Sequence, residues 1–329
     1  MKETIQWGII GPGHIAEKFA SDLQHVDGSE LYAVASRDHG RAKDFAERYH
    51  AKMAYGSYSE IVKDKNVDIV YIATPHPAHC ENTMLCLNHG KAVLCEKPFA
   101  MNLQEANKMV EASRRNRVFL MEAMWSRFNP VLSKVGEIVR SGELGKVLQL
   151  RADFGFHAPH NPESRVFNPA LGGGSLLDVG IYPIFLSHFL LGTPVQIQAE
   201  AVLNEQGTDN SCGMVMRYDH GALSLLSSSV VVTTEQTAFI SCENGSIEIP
   251  EHWHRAGKAI IRVSGQPDRI INTGFEGWGY QFEAMEAARC LRAGVSESEF
   301  LSLDFSLDMM KTLDTVRKIC GLSYPADQT

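Results

Sequence analysis

Apolar runs at residues 5–10, 31–35, 67–73, 92–95 and 118–121 alternate with stretches of helical periodicity at 14–26, 41–50, 57–63, 78–89 and 103–116. The runs are short and continuously apolar, so each predicts a strand buried on both faces. Gly90 is placed to close the fourth helix in a left-handed conformation, and Asn102 to open the fifth as its N-cap. Strand–helix alternation of this kind predicts a parallel sheet covered by helices on both sides. Residues 1–122 are expected to form a doubly wound Rossmann domain.

Beyond Glu122 the pattern changes. One helix is predicted over 130–141, stopped at Gly142, and others over 175–191, 280–293 and 303–320. Between them lie alternating or β-branched segments at 147–156, 195–203, 212–218, 222–232, 236–242, 246–249 and 260–263. Turn sequences such as Asp219-His220-Gly221 and Glu243-Asn244-Gly245 separate several of these. Residues 123–329 therefore predict a second α/β domain, with a mostly antiparallel sheet and helices on one side. The fold class is α/β throughout.

Composition narrows the partners. Apolar residues make up 44% of the chain and charged residues 21%, the balance of a globular protein. The formal charge of −8 and the lack of a basic block argue against nucleic acid. No apolar stretch is read as reaching the roughly 20 residues of a membrane span, and residues 5–10 are needed as a strand rather than a signal segment. Seven cysteines form no CxxC pair, which suits free thiols and predicts a cytoplasmic protein.

Gly11-Pro12-Gly13-His14-Ile15-Ala16 follows the first apolar run and opens the first helix. In that setting Gly11 permits a tight turn, Gly13 lets backbone approach a pyrophosphate, and Ala16 lets helix and strand pack closely. The phosphates then meet the N–H groups of His14 and Ile15 at the helix start. The next run ends in Ser36-Arg37 where an NAD site would place Asp or Glu for the ribose. Ser36 can donate to a 2′-phosphate, and Arg37 and Arg41 can pair with its charge, so NADP(H) is preferred over NAD(H). The alternative is a surface pairing of Arg37 with Asp38 or Asp44. Thr74-Pro75-His76 leaves the carboxyl end of the 67–73 run, with His79 close behind, at the edge where such sheets bind ligands. His76/His79, His157/His160 and His252/His254 each lack further ligands, so no metal is expected.

Glu96-Lys97-Pro98 follows the 92–95 run and brings Lys97 to the same edge. Its amine can take a proton from a substrate hydroxyl, or polarise a carbonyl in the reverse direction. The alternative is a surface pair with Glu96. Asp178 and Tyr182 follow the run Gly172-Gly173-Gly174 and stand four apart, on one face of an α-helix. Such a face can offer a carboxylate to orient a lysine or a hydroxyl, and a phenol to relay a proton. Their other reading is a cap and a packed ring. Trp125, Arg127, Phe128, Phe154, Phe156 and Trp278 can wall a pocket with apolar plates, or serve as core.

Taken together, GPGHIA, ATPHPAH, CEKP and GGGSLLDVGIY occur in the order and spacing of the Gfo/Idh/MocA oxidoreductases, which the chain resembles over nearly its whole length. The resemblance implies a Rossmann domain followed by an α/β domain with a large open sheet used for homo-oligomerisation. It implies that Lys97 is catalytic and that Asp178 is the carboxylate of the glycine-rich segment. It extends the cofactor contacts to His76, His79, Glu96, Lys97, Trp125 and Arg127. Many members carry His where this chain has Tyr182. That departure, with AVLCEKP and LMEAMWSRF, is most similar to the branch of NADP-dependent diol and D-xylose dehydrogenases, and it favours Tyr182 as the acid/base partner.

The expected activity is hydride transfer between NADP and a carbinol or carbonyl carbon of a sugar or cyclic diol. Two alternatives stand beside it: a glycoside hydrolase that uses NAD transiently on the same fold, and a regulator that senses the dinucleotide without turnover.

Overall fold

The computed structural model describes residues 4–328. The continuously apolar runs form β1 (Ile5–Ile10), β2 (Ser29–Ala35), β4 (Ile69–Ile72), β5 (Ala92–Glu96) and β6 (Leu120–Ala123), joined by the short β3 (Met53–Tyr55). Between them lie α1 (His14–Leu23), α2 (His39–Arg48), α3 (Tyr58–Ile61), α4 (His79–Asn88) and α5 (Leu103–Asn116). All six strands pair in parallel, in the order β3-β2-β1-β4-β5-β6. The order reverses between β1 and β4, and loops that diverge from that point open a crevice at the carboxyl edge. Helix α1 is fixed to the sheet by its Phe19 ring, stacked on Tyr71 at 3.8 Å and tilted against Trp7 at 5.3 Å. Asn102 caps α5 by accepting from the Glu105 N–H at 2.9 Å, as its sequence position predicts. Strand β3 is only three residues long with Met53 exposed, too short for a periodicity to read.

The second half contains α6 (Pro130–Ser141), β7 (Val147–Gly155), α7 (Ile181–Leu191) and then seven strands. These are β8 (Gln196–Leu203), β9 (Asp209–Arg217), β10 (Leu223–Ser229), β11 (Ala238–Cys242), β12 (Gly245–Ile249), β13 (Lys258–Val263) and β14 (Arg269–Asn272), followed by α8 (Gln281–Ala293) and α9 (Leu303–Cys320). The sheet order is β14-β13-β12-β11-β7-β10-β9-β8, and only β7 and β10 run parallel. Its strands alternate: Leu226 and Met214 are buried, while Leu223, Leu225 and Val215 are exposed, so one face packs inward and one is open. Helix α7 is apolar all round and buried. With the turns before it, the run Pro169–Leu191 has the length and apolarity of a membrane span, contrary to the sequence reading, yet 89% of its most apolar window is buried inside the protein. It is a core helix.

The expected division at residue 122 needs correction. The chain divides into one unit running to Trp125 together with Glu276–Leu307, and a second comprising Ser126–Phe275 with the chain from Asp308 onward. Hydrogen bonds explain the return. The buried Asp22 carboxylate in α1 accepts from the backbone N–H groups of Trp278 at 2.9 Å and Tyr280 at 2.8 Å. Arg292 of α8 donates to the carbonyls of Asp27 and Gly28, and the Leu120 N–H reaches the Ser296 carbonyl at 3.1 Å. A buried carboxylate satisfied by distant backbone leaves no local mark in a sequence.

Candidate active site

In the first unit, the turn after β1 is shaped by Gly11 with φ of +87°, where a Cβ would stand 2.9 Å from Thr74 Cγ2 and 3.0 Å from the Ala73 carbonyl. Only glycine adopts that conformation there without strain. Gly13 caps α1, and a Cβ added to it would meet nothing within 4 Å. A close approach is thus open in front of a helix start that has no capping side chain. His14 is exposed beside Glu17 at 3.6 Å, and Ile15 is half-buried. An anion held by the N–H groups of this first turn fits the cradle.

Across from it, Ser36 is buried at the end of β2, and its hydroxyl accepts from the Asp38 N–H at 3.2 Å. Asp38 caps α2, accepting from Gly40 at 2.9 Å and Arg41 at 3.3 Å. The nearest carboxylate is therefore committed to backbone. Arg41 donates to the Pro12 carbonyl at 3.3 Å, tying this corner to the glycine turn. Arg37 is exposed and forms no ion pair among the described residues, so the surface pairing with Asp38 or Asp44 is not made.

The loops leaving β4 and β5 are joined by His79. Its ring is fully buried, with Nε2 2.9 Å from the Thr74 carbonyl and Nδ1 2.8 Å from the Pro98 carbonyl. Burial, helped by the charge of Lys97, holds its pKa below the ordinary value, while the two carbonyls pull the other way. Both ring nitrogens lie within hydrogen-bond distance of a carbonyl, and a neutral ring donates to one of them, so His79 sits between the two loops. His76, also buried, packs edge-on to it at 5.7 Å, whereas Pro75 is exposed. The Thr74 hydroxyl accepts from Asn82 at 3.2 Å.

Glu96 is buried, accepts a hydrogen bond from the Tyr71 hydroxyl and accepts from the Lys97 N–H at 3.1 Å. Lys97 itself is half-buried, at the head of a cis Lys97–Pro98 bond. Two further carboxyls underlie this loop, and neither was singled out from the sequence. Glu122 on β6 accepts from the Phe99 N–H at 3.1 Å and from the Ser306 hydroxyl at 2.7 Å. Burial pushes its pKa up to about 7, against its hydrogen bonds and the Lys97 charge. Glu283 on α8 is fully buried with neither oxygen hydrogen-bonded, and burial, with the charges of Glu96, Asp22 and Glu122, raises its pKa well above the usual range. Trp125 is buried and stacks on Tyr280 at 5.0 Å, while Trp278 lies under the Lys18 ammonium at 4.5 Å.

The second unit carries the other candidates. The segment expected to be one α-helix begins as a π-helical turn, Leu176–Gly180, before α7. Residues four apart come back to nearly the same side in a π turn as in an α-helix, so this winding does not separate Asp178 from Tyr182. Asp178 is buried and bridged by Arg165 through two bonds of 3.0 and 3.1 Å. The glycine run brings this about: a Cβ on Gly173 would stand 2.8 Å from the Val166 carbonyl and 2.9 Å from the Arg165 carbonyl, and the Gly174 N–H donates to Val166 at 2.8 Å. Tyr182 is buried against Phe154 at 5.3 Å and His254 at 5.6 Å, and Phe154 stacks on His254 at 4.2 Å. Phe154 and Phe156, both half-buried, pack against the same buried cluster of Phe167, Val179 and Val230. The Arg127 guanidinium lies 4.6 Å over Phe189. Arg165 and His254 lie in loops 161–169 and 251–257, which lack periodicity, so the sequence singles out the loops and not these two side chains.

Residues 5–124 match the model of the oxidoreductase family with an NAD-binding Rossmann fold, and residues 132–248 match the GFO/IDH/MocA C-terminal domain. The chain belongs to the Gfo/Idh/MocA family. Within it, the chain is 36% identical to trans-1,2-dihydrobenzene-1,2-diol dehydrogenase of Mus musculus and 34% identical to that of Homo sapiens, in each case over 99% of both chains. The fold is also that of aldose-aldose oxidoreductase from Caulobacter crescentus, with a TM-score of 0.88 and 24% identity over 97% of this chain and 98% of that one. Gfo/Idh/MocA proteins of this kind are oxidoreductases, and this chain is one of them.

The raised pKa of Glu122 makes a prediction about stability. The folded state keeps its proton above the ordinary value of 4.5, where the unfolded chain has lost it, so this contribution is present at low pH and is lost as pH rises through about 7. Asp209, pushed up to about 6 by burial, and Glu283 add to the same trend. Thermal midpoints measured from pH 5 to pH 8 are expected to fall, and the E122Q variant to flatten that slope; an unchanged slope in E122Q would remove Glu122 from the account.

Proposed function

We propose that the protein is an NADP-dependent dehydrogenase acting on a secondary or anomeric carbinol of a sugar or cyclic diol. The observation that carries the cofactor preference is the corner after β2: an exposed Arg37 without an ion-pair partner among the described residues, beside Ser36 and Arg41, with Asp38 committed to its helix cap. Two guanidinium groups and a hydroxyl suit a 2′-phosphate, and no carboxylate is placed to accept from a 2′-hydroxyl. The diol dehydrogenases to which the chain is similar support the carbinol chemistry.

The fit of the dinucleotide rests on the open space at Gly13 and the uncapped start of α1, which would hold the pyrophosphate. When bound, the nicotinamide supplies the acceptor or donor of a hydride. Lys97 takes the hydroxyl proton as the carbinol becomes a carbonyl, and in the second unit the Tyr182 phenol is a further acid/base group. Asp178, neutralised through Arg165, orients polar groups near Tyr182 rather than acting as a base itself. His79 and Glu122 act on Lys97 only through the loop that carries it, as positioning residues.

The K97M variant should lose about 10²- to 10⁴-fold in kcat while the Kd for NADPH stays within a few-fold. Near-normal turnover would remove Lys97 from the chemistry. R37A should weaken NADPH about tenfold or more, the loss of a charge-assisted bond, and leave NADH nearly unchanged. Equal losses for the two cofactors would overturn the phosphate assignment.

We extend the proposal to a homo-oligomer formed through the open face of the second sheet, where Leu223, Leu225, Val215 and Val202 are exposed. Light scattering of L225R should give a smaller species than the parent; equal masses would move the contact elsewhere. The free cysteines suit a reducing compartment, and we take the cytoplasm as its place of action.

A further inference from the structure

Beyond α9 the chain returns to the second sheet as a short strap. The helix stops at Cys320, where Gly321 takes a left-handed φ of +70° and the Leu322 N–H bonds back to the Arg317 carbonyl at 2.9 Å. Tyr324 follows, buried, and its hydroxyl donates to the Gly173 carbonyl at 2.7 Å. Its backbone N–H donates to Asp327 at 2.8 Å, and the Arg317 guanidinium lies 4.7 Å over its ring while pairing with Asp314 and Asp327. The same glycine turn meets the start of β9: a Cβ on Gly174 would run into Asp209 Oδ1 and stand 3.2 Å from the Tyr324 hydroxyl. Residues 173–174, 209–212 and 320–324 therefore meet within the second unit.

That meeting brings two sulfurs together. Cys212 is buried on the inward side of β9, in the alternation that buries Met214 and Met216 and exposes Val215. Cys320 is half-buried at the helix end, and the two thiols share a hydrogen bond. Other cysteines spend their S–H on oxygen: Cys80 on the Glu105 carbonyl at 3.8 Å, Cys95 on the Phe99 carbonyl at 3.7 Å and Cys290 on Glu286 at 3.2 Å. Sulfurs already in contact reach disulfide geometry by small side-chain rotations, whereas cysteines held apart need backbone movement. Burial raises the pKa of both thiols, and the charges of Asp209 and Glu200 add to it. Their shared hydrogen bond raises Cys212 further and draws Cys320 back down, so the more accessible Cys320 loses its proton first.

We propose that Cys212 and Cys320 are a redox pair, which a peroxide closes into a disulfide that locks the C-terminal strap to the second sheet. The Cys320 thiolate attacks one oxygen of hydrogen peroxide and forms the S–O bond of a sulfenic acid as the O–O bond breaks. The second oxygen leaves as water with the proton that Cys320 gave up. The Cys212 sulfur then displaces the sulfenic hydroxyl, forming the S–S bond and a second water. Two thiols are oxidised by two electrons, and the peroxide is reduced to two waters. Under reducing conditions the pair rests as thiols, and a thiol reductant reopens the bond. Closing the chain between residues 212 and 320 removes freedom from the unfolded state, so the oxidised protein is the more stable form. None of this depends on the dehydrogenase chemistry proposed above.

The test treats the purified full chain with hydrogen peroxide, alkylates the remaining thiols and reads the digest by mass spectrometry, with and without dithiothreitol. A peptide pair joining Cys212 to Cys320 is expected, and dithiothreitol should separate it. The thermal midpoint of the oxidised parent should lie about 5 °C or more above that of the reduced parent. C212S and C320S should each abolish the gain, and C320S, at the half-buried position, keeps the comparison readable if C212S folds poorly. Oxidation of Cys320 only to a sulfinic or sulfonic acid, or a bond to another cysteine or a second chain, would overturn the pair. A gain that survives in C320S, or equal midpoints despite the bond, would overturn the lock.

Discussion

Strands β4 and β5 end side by side, and one buried imidazole fastens the loops that leave them. His79 spans the Thr74 and Pro98 carbonyls, 2.9 and 2.8 Å from its two nitrogens, and Lys97 sits one residue before the second of these. A lysine on a free loop would sample many positions; a lysine between a buried Glu96 and a clamped Pro98 samples few. The arrangement comes at an electrostatic cost, since Glu96, Glu122 and Glu283 are buried beneath it. Tyr71, Phe99 and Ser306 donate to the first two, and burial raises the pKa of Glu283 well above the usual range.

The second unit solves a similar problem by geometry. Gly173 lets the loop bearing Arg165 lie directly on the segment bearing Asp178, so that a buried carboxylate gains a two-pronged cationic partner. The π-helical turn that follows re-aims the chain before α7, and Tyr182 enters a set of rings with Phe154 and His254. Irregular winding of this kind is common where side chains must be aimed rather than merely packed.

Much of this was legible in the sequence. Continuous apolar runs gave the parallel sheet, because strands buried on both faces leave no polar alternation. The glycines at 11 and 13 identified the turn, because backbone conformation and close approach demand them. What escaped reading depends on distance or on irregularity. Glu122 and Ser306 meet across 184 residues, and Asp22 meets Trp278 across 256. The π turn before α7 also left no mark, since nothing in the residue pattern there departs from α-helical periodicity. Glu96 and His79 sit inside the right motifs, but only their burial reveals that they hold loops in place.

The central claim is that this edge of the first sheet supports hydride chemistry on NADP. Its most direct test is the absorbance of reduced nicotinamide when the purified protein is mixed with NADP⁺ and a panel of aldoses, inositols and cyclic diols, with NAD⁺ in parallel. The account predicts NADPH formation with at least one sugar or cyclic diol, faster than with NAD⁺. Silence with every compound, in both the oxidative direction and the reverse assay on dicarbonyls and ketoses, would contradict it.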